Sequence, residues 1–297
     1  MKKNNYKAVE GLKKNKNNYY LFLKKNTNFS NDVINQISYS FQAGTYIDNY
    51  NYLKKRKEYP DYYYDHIYSK IQKYIKNNYS ILEPGVGEGT FTNELSVRNN
   101  KHFKNINYFA CDYSLSRLLV CKNFLSKKKV NTKLFLSNMR KIGISENSVD
   151  VVITHHSLEP NLGMETVIID EFLKVSNKYV ILIEPIYELN PKKNQVRMDK
   201  YGYIKNLYKI CKKLNCDILE YSLLDVHYES KNKTGIIVLK KKKSSKKKNI
   251  RFKCLLTNNL LSKKKDFYYE DKIGIIYPII KEIPILTDDK AIIAPKI

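Results

Sequence analysis

The chain has 297 residues, of which 54 are lysine or arginine and 29 are aspartate or glutamate, giving a formal net charge of +25. This length allows one large folded core with extensions at both ends, and no apolar run reaches the roughly 20 residues that a membrane-spanning helix needs. The lysine excess is spread along the chain together with asparagine, isoleucine and tyrosine, which favours a compositional bias over a dedicated nucleic-acid surface.

Residues 1–74 are predicted to form a mostly helical extension in which tyrosines are interleaved with lysine and asparagine. Within this extension, residues 40–46 form a short apolar and turn-forming patch, and the tyrosine-rich run 62–68 begins the helix that leads into the first strand. These tyrosines can stack on a base or a sugar. Packing of an amphipathic helix against the core is the favoured interpretation.

A glycine-rich turn separates the first predicted strand, residues 79–82, from a helix predicted over residues 90–98. The turn holds one carboxylate and then glycines at alternate positions: Glu83, Gly85, Gly87 and Gly89. Glycine lets the backbone turn tightly and approach a ligand. A strand, an acidic residue, a glycine turn and a helix in this order hold a nucleoside cofactor at the edge of a parallel sheet. Taken alone, the turn fits a surface loop without a ligand equally well.

The second strand is predicted over residues 105–111 and ends at Asp112. A carboxylate at this place can accept hydrogen bonds from both hydroxyls of a ribose. It can also cap the helix predicted over residues 115–125, and the two roles are compatible.

The rest of the sheet follows from apolar runs that alternate with helical patterns. Strands are predicted over residues 133–136, 147–154, 178–183, 216–224 and 234–240, and helices over residues 163–175 and 196–213. Strands that alternate with helices indicate a parallel α/β sheet. Because no helix separates the last two strands, we expect them to form an antiparallel hairpin.

The glycines are spaced G-x-G-x-G behind an acidic residue, whereas a dinucleotide fingerprint has G-x-G-x-x-G. In this spacing the turn resembles motif I of class I S-adenosylmethionine-dependent methyltransferases, and the resemblance extends over residues 75–243. It implies an α/β fold with a Rossmann-like, seven-stranded methyltransferase sheet, preceded by the helical extension and followed by a small β-rich module at residues 244–297. It also implies S-adenosylmethionine as the cofactor.

The same resemblance implies which residues bind the cofactor. Glu83 is expected to face the methionine end, with the glycines beneath the cofactor and Asp112 at the ribose. At the adenine, we expect the amide oxygen of Asn138 to accept from the amino group and the backbone of Met139 to serve a ring nitrogen, although the family usually has an acidic residue at the position of Asn138. Two further residues complete the expected contacts, Tyr113 and His155.

The chemistry is expected after the fourth strand, because its carboxyl end and that of the first strand flank one crevice in this fold. Two histidines and a carboxylate follow there: His155, His156 and Glu159. A neutral histidine is a suitable base for a hydroxyl at pH near 7, so we expect His155 or His156 as the base. Glu159 would then orient the imidazole or bind the acceptor. Adjacent histidines on a strand point to opposite faces, so at most one is expected to face the cofactor.

Two other interpretations of these residues stay open. Glu159 can simply begin the next helix, where a carboxylate favours the positive end. A metal held by His155, Glu159 and Glu184 has no support from ligand spacing, and no metal is predicted.

The acceptor is expected to be a sugar or another small polar metabolite that is O-methylated. Runs at residues 156–161, 182–189 and 197–203 resemble an uncharacterised bacterial branch of the superfamily that often occurs with surface-carbohydrate biosynthesis. In many members of the fold, the N-terminal element covers the cofactor or forms a wall of the substrate pocket. The expected acceptor contacts are therefore Gln42, Tyr46, Glu184, Tyr187 and Arg197, although a solvated loop would explain the last three equally well.

A lysine run over residues 240–248 is predicted to be a flexible linker, because like charges do not pack. Beyond it, residues 277–286 resemble the signature of small zinc-ribbon-like activators of tRNA and translation-factor methyltransferases. Glu282 occupies the usual glycine position, and Thr257 stands where a cysteine partner of Cys254 would be. Four ligands are needed for structural zinc, so the predicted module is metal-free and docks on the catalytic domain or on a partner.

This tail and the basic charge motivate an alternative function, a methyltransferase acting on tRNA, rRNA or a translation factor. The chain has five cysteines without a pattern, which indicates reduced thiols in a cytoplasmic protein. The polar N-terminus lacks the apolar segment of a signal peptide, in agreement with that location.

Overall fold

A twisted, mostly parallel sheet forms the centre of the protein. The computed structural model describes residues 9–12, 18–56, 60–227, 230–242 and 246–296. Within these residues, twelve strands join into one sheet in the order β6-β7-β5-β4-β1-β2-β3-β11-β10-β9-β8, with β12 paired to β10. No helix in the described ranges has the length and apolarity that a membrane crossing requires.

The N-terminal extension is helical, as the sequence indicates. Its helices are α1 (residues 9–12), α2 (Tyr19–Asn26), α3 (Asn31–Phe41), α4 (Thr45–Lys55) and α5 (Pro60–Ile71). Leu12, Leu23 and Ile34 form a small apolar cluster of their own between α1, α2 and α3. The first three helices therefore share a small core that is separate from the two cores of the sheet.

The parallel part of the sheet alternates strands with helices. Its elements are β1 (Ser80–Pro84), α6 (Thr90–His102), β2 (Asn107–Asp112), α7 (Leu115–Lys127), β3 (Thr132–Ser137), β4 (Val149–His155), α8 (Glu165–Val175) and β5 (Ser176–Pro185). The chain continues through α9 (Lys192–Lys200), α10 (Leu207–Lys213), β6 (Cys216–Leu223) and β7 (Thr234–Lys241). As predicted, β6 and β7 form an antiparallel hairpin, and β7 also pairs with β5.

Both faces of this sheet are covered, which explains why its strands are continuous apolar runs. Neighbouring residues along a strand point to opposite faces. Ile81 and Val151 lie in the apolar core on one face, whereas Leu82 and Val152 lie in the core on the other. The seven strands from β6 to β3 thus form the Rossmann-like sheet that the sequence predicts.

The helix predicted over residues 196–213 is two helices, α9 and α10. Gly202 lies in the left-handed region at φ 65°, and its N–H donates to the Asp199 carbonyl at 3.1 Å. The N–H of Tyr203 donates to the Met198 carbonyl at 3.0 Å. These two bonds form a Schellman motif, which ends α9 at a glycine. The prediction of one helix was wrong because it ignored this stop signal.

The C-terminal residues extend the parallel sheet. They form β8 (Ser262–Lys263), β9 (Phe267–Glu270), β10 (Ile275–Ile280), β11 (Ile283–Leu286) and β12 (Ile292–Ile293). Strand β11 pairs in parallel with β3, with Ile285 opposite Leu136 and Leu286 opposite Ser137. The edge of the parallel sheet is therefore covered by the end of the same chain.

The lysine run differs from the expected flexible linker where the structure describes it. Lys247 forms an ion pair with the buried carboxylate of Asp150. The N–H of Lys248 donates to the Asn147 carbonyl at 2.9 Å. Asp150 also accepts from the backbone N–H of Ser80 at 2.9 Å. A buried carboxylate at the start of β4 thus fixes one lysine of a run in which like charges were expected to prevent packing.

Candidate active site

A cavity of about 560 Å³ lies over the carboxyl ends of β1, β2 and β4. Its floor includes the glycine turn after β1, and helices α3 and α4 of the N-terminal extension supply residues on the opposite side, among them Tyr39 and Tyr46. This is the crevice at which doubly wound sheets bind their ligands. The volume lies within the range of small-molecule sites.

The glycine turn is packed too closely for other residues. Gly85 and Gly87 have φ values of 72° and 55°, which side chains with a Cβ rarely adopt. A Cβ on Gly85 would lie 2.5 Å from the Cβ of Ser157, and one on Gly87 would lie 2.5 Å from Nη2 of Arg117. Because these positions are glycines, the turn after β1 can pack directly against the loop after β4 and against α7. Gly89, at φ 82°, precedes α6.

Asp112 lies at the end of β2 and faces the glycine turn. Its Oδ2 accepts from the N–H of Gly87 at 2.9 Å, and its Oδ1 accepts from the N–H of Ser114 at 2.8 Å. The cap of α7 is Ser114, whose hydroxyl accepts from the N–H of Arg117. The alternative in which Asp112 caps the helix is therefore wrong. The carboxylate borders the cavity instead.

Glu83 is a buried carboxylate that also borders the cavity. The hydroxyl of Thr92 donates to its Oε2. Burial, together with the negative charge of Asp112, raises the pKa of Glu83 to about 8, although the hydrogen bond from Thr92 opposes the shift. Such a carboxylate can bind an amino group, because the positive charge of the amino group would favour the ionised form of Glu83. The donor set at this end therefore fits the methionine part of S-adenosylmethionine.

Three residues predicted at the adenine end line the cavity: Tyr113, Asn138 and Met139. The amide oxygen of Asn138 accepts from the N–H of Arg140 at 3.0 Å, which is a local turn. The expected bond from this oxygen to the adenine amino group therefore competes with one inside the protein. The guanidinium of Arg140 in turn pairs with Asp32 of α3, with 2.7 Å between Nη1 and Oδ2.

His155 ends β4 and lies at the cavity wall, half-buried. Its ring stacks on Phe91, with centroids 4.6 Å apart and an interplanar angle of 5°. Its Nε2 lies 2.9 Å from the hydroxyl of Tyr63. Burial, and then the neighbouring His156, lower the pKa of His155 well below its ordinary value. The imidazole is therefore neutral at pH 7.

His156 lies beside His155 and borders the same cavity. Its Nδ1 is 2.6 Å from Oε1 of Glu159, and its Nε2 is 2.8 Å from Oγ1 of Thr234. The expectation that only one histidine faces the cavity was wrong. His156 has a φ of 50°, so the chain has left the strand before the alternation of faces can apply.

Glu159 borders the cavity in the loop after β4 and lies before α8, which starts at Glu165. The alternative in which it begins the helix is therefore wrong. Among the described residues there is no group of three or more histidine, cysteine, aspartate or glutamate side chains that could hold a metal ion.

The predicted acceptor residues divide into two groups. Tyr46 and Arg197 border the cavity, and Arg117 lies over the ring of Tyr46 at 4.5 Å. Tyr203, next to Arg197 with 3.4 Å between its hydroxyl and Nη1, borders it as well.

Three predicted acceptor residues lie outside the cavity lining: Gln42, Glu184 and Tyr187. Gln42 caps α3 through its backbone. Glu184 is fully buried, accepts from the N–H groups of Ser157 and Leu158, and has its pKa raised to about 7 by burial. The Tyr187 hydroxyl donates to Asp199 at 3.1 Å. Glu184 thus supports the loop that follows the histidine pair. Its position in the sequence did not distinguish this structural role from contact with the acceptor.

Two polar groups that were not predicted as site residues contact the histidines. Tyr63 belongs to a tyrosine run that indicated core packing, and it is indeed fully buried, but its hydroxyl reaches both imidazoles. Thr234 begins β7 and gave no signal in the sequence, because it meets His156 only through the pairing of β7 with β5.

Known proteins that resemble this chain in sequence pattern or fold include methyltransferases. Residues 82–168 match a family model described as a methyltransferase domain. Among curated proteins, none matches the sequence. This match supports a methyltransferase that uses S-adenosylmethionine as its cofactor.

Solved structures with a similar fold include several methyltransferases. A SAM-dependent methyltransferase from Aquifex aeolicus is 15% identical, with 63% of this chain and 95% of that chain covered and a TM-score of 0.47. One from Methanosarcina mazei is 14% identical, with 58% and 96% covered and a TM-score of 0.48. The magnesium protoporphyrin IX methyltransferase of Synechocystis, solved with bound SAH, is 13% identical, with 61% and 83% covered and a TM-score of 0.47.

Proposed function

We propose that this S-adenosylmethionine-dependent methyltransferase methylates a hydroxyl group of a small polar molecule, with a sugar as the favoured acceptor. The observation that carries the proposal is a roofed cavity with two histidines and a carboxylate at the exit of β4. The sequence resemblance adds surface-glycan biosynthesis as the context in which such an acceptor would occur.

The cofactor would be bound along the glycine turn. Glu83 would bind the amino group of the methionine part, and Asp112 the ribose hydroxyls. Tyr113 and Met139 would lie on either side of the adenine. When bound, S-adenosylmethionine supplies an electrophilic methyl group on a sulfonium, so the protein has to orient the acceptor and take up its proton.

His155 is the base in this proposal. It is neutral at pH 7, and among the described residues its Nδ1 has no hydrogen-bond partner. The hydroxyl of the acceptor would donate to Nδ1 from the cavity. The His156–Glu159 pair adjoins His155, and the centroids of the two imidazole rings are 4.9 Å apart.

The roof of the cavity favours a small acceptor. The side chain of Gln36 donates to the Tyr113 carbonyl at 3.1 Å, and that of Asn35 donates to the Pro160 carbonyl at 3.2 Å. Together with the Arg140–Asp32 pair, these bonds attach α3 to three loops around the cavity. A volume of about 560 Å³ has to hold both cofactor and acceptor, which leaves little room for a folded macromolecule.

The test uses the purified protein with cofactor carrying a tritiated methyl group. Pools of small sugars and nucleotide sugars are compared with total RNA and with a ribosomal extract. We expect label in a low-mass product that resists mild alkali, because an ether is stable where a methyl ester is not. Label in RNA or in protein alone would reject the proposal.

A macromolecular acceptor is the second candidate, and the C-terminal strands favour it. They resemble activators of tRNA and translation-factor methyltransferases, and β11 lies directly against the catalytic sheet at β3. The net charge of +25 would attract RNA. In the same assay, label in RNA that rises as salt is lowered would support this candidate.

A further inference from the structure

One tyrosine hydroxyl lies between the two histidines of the site. Tyr63, fully buried in α5, has its hydroxyl 2.9 Å from Nε2 of His155 and 3.4 Å from Nε2 of His156. Its ring meets that of His155 edge-on, with centroids 5.8 Å apart. A phenol is both a donor and an acceptor, so this hydroxyl can take a proton from one imidazole and give its own to the other.

A carboxylate contacts Nδ1 of His156, the ring nitrogen that does not face Tyr63. Because an ionised carboxylate only accepts, the 2.6 Å contact with Glu159 places a proton on Nδ1 of His156. Its Nε2 is then the basic nitrogen, and this atom faces the hydroxyls of Tyr63 and Thr234.

Aromatic rings surround His155, whereas a carboxylate contacts His156. His155 is enclosed by the rings of Phe91, Tyr63 and Tyr64, and burial opposes its protonation. His156 faces the carboxylate of Glu159 directly, and the buried carboxyl group of Glu184 interacts with it electrostatically. The Tyr203 hydroxyl lies next to Glu159, and Nδ2 of Asn232 donates to Oε1 of Glu159 at 3.4 Å.

We propose that Tyr63 is a positioning residue that relays the acceptor's proton from His155 to the His156–Glu159 pair. The inference rests on the proposed function. The acceptor oxygen supplies the electron pair of its new bond to the methyl carbon, the pair of the broken carbon–sulfur bond stays on sulfur, and the hydroxyl proton passes to Nδ1 of His155.

The relay then moves two more protons over short distances. The Nε2 proton of His155 passes to the Tyr63 oxygen as the Tyr63 hydroxyl proton passes to Nε2 of His156. His156 becomes an imidazolium next to Glu159, and its new N–H donates to Oγ1 of Thr234. His155 is left neutral with its proton on Nδ1, and return of the protons after product release resets the site.

The relay requires a particular tautomer of each histidine before the reaction, and this can be measured without turnover. The chain has only five histidines, so ¹⁵N-histidine spectra of the complex with S-adenosylhomocysteine can be assigned with His155→Gln and His156→Gln. We expect the proton on Nε2 in His155 and on Nδ1 in His156.

Tyr63→Phe keeps the ring and removes the hydroxyl that contacts Nε2 of His155. We therefore expect both neutral tautomers of His155 to be populated in this variant. The matched control is Tyr68→Phe, on the same helix, whose buried hydroxyl has no hydrogen-bond partner among the described residues and whose ring stacks on His102. The control should leave the signals of His155 and His156 unchanged. Wild-type His155 protonated on Nδ1, or a Tyr63→Phe spectrum identical to wild type, would overturn the relay.

Kinetics supply a second readout. Tyr63→Phe should lower kcat for methyl transfer roughly 100-fold, the lower end of the range for general base catalysis, with an unchanged affinity for S-adenosylhomocysteine. An unchanged kcat would also overturn the relay. The two readouts also separate the relay from the proposed acceptor. If the wild type methylates no hydroxyl but both histidines have the expected tautomers, the proposed acceptor is wrong. The hydrogen-bond chain through Tyr63 is then still present.

Discussion

The stability of the cofactor-free protein depends on pH through the protonation of Glu83. Its pKa is raised by burial from 4.5 to about 8, so the folded chain keeps a proton that the unfolded chain releases above pH 4.5. The contribution of Glu83 to the free energy of unfolding therefore falls as the pH rises through this window and levels off above the folded pKa. We predict that Glu83→Gln flattens the fall of Tm between about pH 5 and about pH 8, measured by calorimetry.

The same substitution tests the cofactor role of Glu83. A neutral amide attracts an ammonium group less, so we expect binding of S-adenosylhomocysteine to weaken at least about tenfold, or 1.4 kcal/mol. The exposed Glu146, changed to glutamine, serves as the control for loss of one negative charge. Wild-type affinity in the Glu83 variant would remove this carboxylate from the cofactor site.

His155 has the opposite pH dependence. Its pKa is lowered by burial, so the unfolded chain binds a proton near pH 6.5 that the folded chain does not. The contribution of His155 to stability therefore rises with pH up to about its ordinary pKa, and the base is already neutral below that value. We predict that log kcat of His156→Gln, which leaves His155 as the histidine at the cavity, stays level from about pH 8 down to about pH 6.5, without the usual histidine inflection. A rate that halves near the ordinary pKa of histidine would contradict this.

Glu88 shows how the turn and the roof are joined at the scale of elements. Its buried carboxylate accepts from the N–H of Gly44 at 3.0 Å and from that of Ile47 at 2.9 Å, at the start of α4. A carboxylate at this place satisfies free N–H groups and favours the positive helix end. The residue that lies between Gly87 and Gly89 therefore fixes the helix that covers the cavity.

We predict that Glu88→Ala loosens α4, at a cost of about 0.5–2 kcal/mol for a lost cap. Limited proteolysis should cut the segment between α3 and α5 faster, and the affinity for S-adenosylhomocysteine should fall. The control is Glu146→Ala at an exposed loop site. A cleavage rate equal to that of the control would show that Glu88 does not hold the roof.

Most element boundaries could be predicted, because apolar runs and turn residues mark them locally. Strand β4 and helix α6 lie within a few residues of their predicted positions. The pattern failed where a short signal was overlooked, as at Gly202 between α9 and α10. It failed at His156 for a different reason. Strand alternation ends as soon as one residue takes a positive φ, and the residue type does not reveal this.

At the scale of the whole molecule, the C-terminal strands cover an edge of the catalytic sheet. Leu286 of β11 is fully buried opposite Ser137, and Tyr277 of β10 is fully buried with its hydroxyl accepting from the N–H of Leu255 at 3.0 Å. Cys254 is buried, with its Sγ 3.6 Å from the same hydroxyl. Apolar packing and this hydroxyl thus hold the C-terminal strands to the residues before them.

We predict that Leu286→Ala lowers the free energy of unfolding of the whole protein by about 2–5 kcal/mol, the range for large-to-small changes in a core. Ile293→Ala is the matched control, because Ile293 of β12 is 75% exposed and should change stability by less than about 0.5 kcal/mol. Urea unfolding followed at the tyrosines measures both. Equal effects would mean that the C-terminal strands unfold separately from the catalytic sheet.

Local patterns of residues predicted the order of strands and helices, the glycine turn and the carboxylates that follow β1 and β2, because each depends on neighbouring residues. They did not predict which polar groups meet at the site. Tyr63, Thr234 and Glu184 come from α5, β7 and β5, and they contact residues 155–157 at the end of β4. Such contacts depend on the folded arrangement of distant segments, and no local pattern of residues encodes them.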